Sequence, residues 1–196
     1  MMVDFDYPQG ATPLDPNEIE GLILTHITTR AVLDRWEQDN INEALAWLEQ
    51  QKPKNILDES FMKQLHKRMF GNVWKWAGDL RKTEKNLGVP FHQISIEVKK
   101  LCDDVKYWIQ NRTFTEDEIA ARFHHRLVFI HLFPNGNGRH ARLIADILLE
   151  NVLDKPPLTW GSESLAAAGL DRKKYIDSLV AADRGDYGLL MNFVRS

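Results

Sequence analysis

"TEDEIAARFHHRLVFIHLFPNGNGRHARLIADILL", residues 115–149, decides the fold. Thr115 and Glu118 form a Thr-x-x-Glu capping box ahead of Ile119, Phe123, Leu127 and Ile130, so a well-started helix runs up to His131. Two Asn-Gly pairs follow at 135–138. Gly136 and Gly138 reach backbone angles closed to other residues, and Asn135 and Asn137 tolerate left-handed geometry, so the chain turns sharply there. Leu143, Ile144, Ile147, Leu148 and Val152 then restore an apolar helical face, which Pro156-Pro157 terminates. The stretch therefore predicts two apolar helices joined by a tight corner, with His131 at its entrance and Arg139 and Arg142 at its exit.

Working outward, residues 1–16 hold three prolines and read as an extended lead-in. From Thr29 to Gln51, Leu33, Ile41, Leu45 and Leu48 mark one helix face, flanked by Trp36, Ala44 and Trp47, and Pro53 ends it. A further helix covers Asp58 to Phe70, with Gly71 as its stop. The segment 79–93, "DLRKTEKNLGVPFHQ", breaks the pattern with Asn86, Gly88 and Pro90. It reads as a β-hairpin or an extended loop, the one candidate for strand. Val98, Leu101, Val105, Trp108 and Ile109 then recur at helical spacing. Shorter helices are predicted around Ser162–Ala168, Asp171–Ala182 and Tyr187–Val194. The architecture is mostly α, with one hairpin.

Bulk properties narrow the function classes. The chain has 196 residues, 43% of them hydrophobic, enough for one substantial core. Its 25 basic and 28 acidic residues nearly balance, so no basic footprint points to nucleic acid. No window approaches the ~18 apolar residues that a membrane span needs. The first residues carry neither a basic patch nor an apolar stretch, and the single Cys102 sits as a reduced thiol. The expectation is a cytoplasmic protein that uses neither membrane nor nucleic acid.

The corner itself carries chemistry. A glycine-rich turn that opens directly into a helix directs amides at one point, where they add to the positive end of the helix dipole, and phosphate is the usual guest. Arg139 and Arg142, about one helical turn apart, present planar donor forks beside it. A plain helix–loop–helix corner with solvated arginines is the bland alternative. The leading histidine favours function, because a side chain that titrates near neutrality at the mouth of an anion site suits a general base.

"HLFPNGNGRHAR" resembles the Fic family signature, through His131, Phe133, Gly136, Asn137, Gly138, Arg139 and Arg142. "VWKWAGDLR" at 73–81 and Pro90-Phe91 resemble the run into that family's flap, and the likeness covers about 55–152. The whole chain further resembles the Fic subgroup called mobile mystery protein B. On that basis 1–54 would be an N-terminal helical extension and a candidate inhibitory segment, 55–152 the Fic core, and 153–196 C-terminal helices packed on it, all in one globular unit.

The resemblance implies a Fic-type helical bundle with one β-hairpin flap, transferring AMP from ATP, with Mg2+, onto a Ser, Thr or Tyr hydroxyl of a target protein. His131 would take the hydroxyl proton. Gly136, Asn137, Gly138 and Arg139 would hold the α- and β-phosphates, and Arg142 the γ-phosphate. Phe133 would pin the loop into the core. The flap, Leu87, Gly88, Val89, Pro90 and Phe91, would pair with the target backbone. Transfer of UMP or phosphate by the same loop, and a non-catalytic nucleotide- or partner-binding module controlled by a small regulatory protein, are the alternatives.

One position departs from the signature. Asn135 stands where the family has an acid that helps to hold magnesium, so weaker metal binding is expected. The family's inhibitory Ser/Thr-x-x-x-Glu-Gly or -Asn pattern, whose glutamate pairs with the second motif arginine, is absent. Glu20 and Glu37 are the regulatory candidates, Glu20 slightly favoured because Gly21 follows it. His124, His125, His131 and His140 do not have the spacing of a zinc site. Arg81, Lys82 and Lys85 beside the flap read as solvated, with steering of an acidic target as the lesser alternative.

Overall fold

The computed structural model describes residues 12–161 and 170–196. The expected helix at 162–168 lies outside the described residues. The chain folds into α1 (Pro16–Ile19), α2 (Arg30–Gln51), α3 (Glu59–Phe70), α4 (Ile94–Asn111), α5 (Glu116–Ile130), α6 (Asn137–Ile147), α7 (Leu170–Asp183) and α8 (Gly188–Val194). A 3-10 turn at Phe91–Gln93 precedes α4, and a π-helical turn at Leu148–Val152 extends α6.

The helix starts follow local chemistry. The Thr29, Asp58 and Thr115 side chains accept from Val32, Ser60 and Glu118 backbone N–H groups, satisfying donors that a first turn leaves open. α5 lies in the middle, packed against α4, α6 and α8. Phe123, Leu127 and Ile130 on its inner face are at most 1% exposed. One hydrophobic core runs from Leu14 to Val194, so the extension, the central segment and the C-terminal helices all contribute to it.

Two expectations need correction. On α2 the buried stripe is Leu33, Glu37, Asn40, Ile41, Ala44 and Leu48, while Leu45 and Trp36 face outward. Leu33, Ile41 and Leu48 are buried as expected, but Ala44 takes the place of Leu45, and Glu37 and Asn40, each paired inside, complete the stripe. The hairpin is absent too: among the described residues, 79–90 contain no strand, and the one β-bridge joins Leu22 to Trp74. The reason is a side chain. Arg81 donates to the carbonyls of Thr83 at 2.9 Å and of Val89, so a guanidinium takes acceptors that a cross-strand ladder would use.

Candidate active site

The histidine is positioned by the end of α5. His131 is its C-cap in left-handed geometry, with φ of 57° and ψ of 66°, and its amide donates to Leu127 O at 3.1 Å. A non-glycine residue held there stores about 1–3 kcal/mol of strain, sustained only where surroundings enforce it. The enforcing group is Arg81. Its Nε donates to His131 O at 2.6 Å, and its amide donates to Leu132 O at 2.9 Å.

His131 is 5% exposed, and both its ring nitrogens are buried without a hydrogen bond of normal geometry, the Val128 carbonyl being the one backbone acceptor near enough to favour the charged ring. Burial first, then the Arg81 charge and the more distant Lys85, push its pKa down to about 4. At neutral pH the imidazole is therefore uncharged, with a lone pair free to accept a proton.

The loop after it is stapled from within. Asn137 Oδ1 accepts from Phe133 N at 2.9 Å and its Nδ2 donates to Phe133 O at 2.8 Å. The Asn137 side chain is thus spent on shape, leaving its backbone N–H as the group it offers a ligand. Phe133 is fully buried and stacks on His66 at 3.7 Å. His66 fixes the loop further: Nδ1 accepts from Gly78 N at 3.0 Å, so Nε2 carries the proton that it shares with Asn135 O at 3.0 Å. Its position on α3 has no signal in the sequence beyond an apolar helix face.

Gly136 caps α6 with φ of 78°, and a Cβ there would lie 2.7 Å from the Phe70 ring. The first-turn amides of Asn137, Gly138 and Arg139 have no helical acceptor behind them and converge at the positive end of α6. A Cβ on Gly138 would make ordinary van der Waals contact with Tyr175 Oη at 3.7 Å and with an Arg142 nitrogen at 3.8 Å, so a methyl fits beside these amides. Arg142 lies over the Tyr175 ring, 5.5 Å from its centre, and Tyr175 Oη meets His124 Nε2 at 3.1 Å.

Arg139 is engaged. Its Nη1 donates to Glu37 Oε2 at 2.7 Å, and its guanidinium lies 4.7 Å over the Phe70 ring. Glu37 is 3% exposed, and its Oε1 accepts from Trp74 Nε1 at 2.6 Å. Of the two regulatory candidates the structure thus brings Glu37 to the site, against the first motif arginine rather than the second. Glu20 is exposed at the end of α1 and makes no hydrogen bond or ion pair with either arginine.

Both ends of the Asn135 amide are engaged. Its Oδ1 accepts from Gly136 N at 2.7 Å, while its Nδ2 donates to Thr12 O at 3.1 Å. Among the described residues no group of three His, Cys, Asp or Glu could hold an ion. A neutral amide already in use does not fit magnesium, which seeks anionic oxygen.

The flap residues surround His131 unevenly. Val89 is buried, Gly88 has φ of 113°, and Leu87 and Phe91 are 37% and 41% exposed. Pro90 is exposed. Arg81 and Lys85, expected in solvent, have side chains only 0% and 3% exposed. Nothing in the sequence marks them, since their partners assemble only on folding. Of the other histidines, His140 Nε2 donates to Met62 O at 3.0 Å and His125 Nε2 meets Asp183 Oδ1 at 2.9 Å, in separate surroundings. No helix among the described residues is long and apolar enough to cross a membrane.

Comparison with known proteins bears on the family and the fold. Residues 56–149 match the Fic/DOC family. A protein adenylyltransferase Fic of Nematostella vectensis is 26% identical over 97% of this chain and 50% of its own length. Protein adenylyltransferase fic-1 of Caenorhabditis elegans is 34% identical over 67% of this chain and 25% of its own. The chain thus spans a quarter to half of these curated relatives. Among solved structures, Fic-1 of C. elegans superposes with a TM-score of 0.66 at 23% identity, covering 93% of this chain and 54% of that one. BepC of Bartonella tribocorum with bound AMPPNP superposes at 0.69 and 18% identity, covering 88% and 89%.

Proposed function

From its membership of the Fic/DOC family, carried by residues 56–149, we propose that this chain is a protein adenylyltransferase that moves AMP from ATP onto a Ser, Thr or Tyr hydroxyl of a target protein. The observation that carries the reading is the imidazole of His131, neutral, shielded and with both nitrogens unpartnered beside the amide-lined turn. A buried polar group left unpaired is costly, and an unspent acceptor beside an anion site has a use in proton transfer.

In the reaction His131 takes the proton of the target hydroxyl. The oxygen attacks the α-phosphorus, the bond to the β-phosphate oxygen breaks, and pyrophosphate leaves. The first-turn amides of Asn137, Gly138 and Arg139, with the Arg139 guanidinium once free, oppose the charge that gathers on the phosphates. Arg142 takes the far phosphate. Among the described residues no group of three acids, histidines or cysteines could hold magnesium, so positioning is argued from these amides and guanidinium groups.

Glu37 keeps the donor side closed in this state, since Arg139 cannot serve a phosphate while it pairs with that carboxylate. The engaged amide of Asn135 favours a second reading, nucleotide binding without transfer. Incubation with ATP labelled at the α-phosphate decides between them, using Glu37→Gln with and without His131→Ala. Label that enters protein only when His131 is present supports transfer. Equal label with both refutes the assigned base, and calorimetric ATP binding without label supports the second reading. Label from the γ-phosphate, or from UTP in preference to ATP, would reassign the transferred group.

A further inference from the structure

We infer that Lys85 anchors a docking groove for an acidic peptide segment, a groove now filled by residues 12–18 of the chain itself, a short lead and the first turn of α1, which an incoming protein must displace. This rests on the proposed function only in taking His131 as the group that an incoming hydroxyl must reach. Lys85 stands in a loop whose neighbours are exposed, yet its side chain is 3% exposed. Two carboxylates bury it. Its Nζ reaches Asp15 Oδ2 at 2.9 Å and Glu18 Oε2 at 2.5 Å. Thr83 Oγ1 donates to the same Asp15 oxygen at 2.9 Å.

The strap made by 12–18 crosses the candidate site. At one end Thr12 O accepts from Asn135 of the motif loop, and at the other Glu18 O accepts from Trp76 Nε1 at 2.9 Å. Leu14, 7% exposed, seats in the core between them. The flap covers the base, and the strap holds the flap through Lys85 and Thr83. A Cβ on Gly88 would lie 2.8 Å from His131 Cβ, so the flap backbone rests directly on the histidine, whose two nitrogens lack partners. No hydroxyl could reach them without movement of this cover.

The attachments show where movement can occur. Residues 21–23 are stitched to 73–75 by backbone, with Ile23 N donating to Val73 O and Lys75 N to Gly21 O, both at 2.9 Å. Residues 12–18 are joined to the flap by side chains alone, the Asp15 and Glu18 carboxylates on Lys85 and Thr83. The strap can therefore lift while 21–23 stay fixed. What replaces it must offer what the groove now holds: carboxylates three residues apart, with an apolar residue just before the first, as in Leu14-Asp15-x-x-Glu18.

The test uses a fluorescein-labelled peptide of residues 12–22 and the full chain. Three proteins are compared by fluorescence anisotropy: wild type, the double variant Asp15→Asn with Glu18→Gln, and that variant with Lys85→Glu added. The double variant, its own strap loosened, is expected to bind the peptide at least fivefold more tightly than wild type. Lys85→Glu should abolish the gain, as should a peptide with Asn and Gln at the two acidic positions. Hydrogen exchange at 86–92 should quicken in the double variant, with the circular dichroism spectrum unchanged. Equal binding by wild type and double variant, binding that survives Lys85→Glu, or no binding by any of the three overturns the inference. None of these measurements uses ATP, so their failure leaves the adenylyltransferase reading standing, and absence of nucleotide transfer leaves them intact.

Discussion

Glu37→Gln separates inhibition from stability at a single carboxylate. The side chain makes two bonds, to Trp74 Nε1 at 2.6 Å and to Arg139 Nη1 at 2.7 Å. Glutamine can still accept from Trp74, so the buried indole N–H is not orphaned, and what is lost is the bond to the guanidinium. A hydrogen bond to a charged group contributes about 1.5–3 kcal/mol. The Arg139 side chain is 29% exposed, and solvent screening brings the figure to roughly 1–2 kcal/mol. ATP no longer has to displace that interaction, and at 1.4 kcal/mol per decade its affinity should rise roughly five- to thirtyfold. The nucleotide-free protein loses the same amount, which for a chain of this size lowers Tm by about 2–8 °C. Calorimetric titration with ATP and thermal melting of the same preparation therefore move in opposite directions. Arg139→Ala on the Glu37→Gln background should cancel the gain in affinity. Glu37→Ala should melt lower still, because an orphaned Trp74 N–H costs about 1–3 kcal/mol more. A fall in Tm with ATP affinity unchanged or weaker would show that Glu37 only supports the fold, and the reasoning would fail.

The two loop glycines should part company. Gly136→Ala places a Cβ 2.7 Å from the Phe70 ring at φ of 78°, and should cost at least about 2 kcal/mol in stability, read as a lower denaturation midpoint. Gly138→Ala has room and a helical backbone, so stability should hold or rise by up to about 1 kcal/mol while ATP binding weakens, because the methyl takes up space beside the Arg142 guanidinium, 3.8 Å away. Asn135→Asp keeps the Gly136 cap, loses the donor to Thr12 O and adds an anionic oxygen. Calorimetry should show tighter magnesium binding, and unchanged binding would detach this position from the metal. Acid should destabilise the fold from pH 6.5 downward. Burial depresses His66, His124, His131 and His140, the last two to about 4, so the unfolded chain binds their protons first and stability is lost as pH falls from 6.5. Asp146, raised to about 6 by burial, works in the opposite sense between 3.8 and 6 and offsets about one histidine. A Tm that stays flat or rises between pH 6.5 and 4.5 would contradict this balance.

How much of this could be read from the chain alone depended on how far apart the interacting groups lie. Helix α5 and its Thr115 cap were legible because cap, apolar spacing and turn all lie within a few residues of one another. The same holds for the corner at 131–142, where glycine conformation and motif spacing are local. Glu37 shows the opposite case. It falls in a helix face where a lone carboxylate would be costly, and periodicity alone favours Leu45 for the interior instead. What reverses that is Trp74 and Arg139, 37 and 102 residues along the chain, which supply a donor and a cation. Only the folded molecule brings them together.

Arg81 makes the point more sharply, because its misplacement and that of the hairpin have one cause. A loop with Asn86, Gly88 and Pro90 suggests paired strands, and an arginine at its start suggests a solvated charge. Inside the fold that guanidinium instead gathers the carbonyls of Thr83, Val89, Ile130 and His131. Carbonyls from the flap and from the end of α5 meet on one cation, so the flap needs no strand pairing to be held against the base. The residue that replaces a sheet here is also the one that sets the backbone of His131 and helps to keep its ring neutral. Structure and chemistry at this site thus depend on the same buried charge, and such a charge leaves no periodic trace in a sequence.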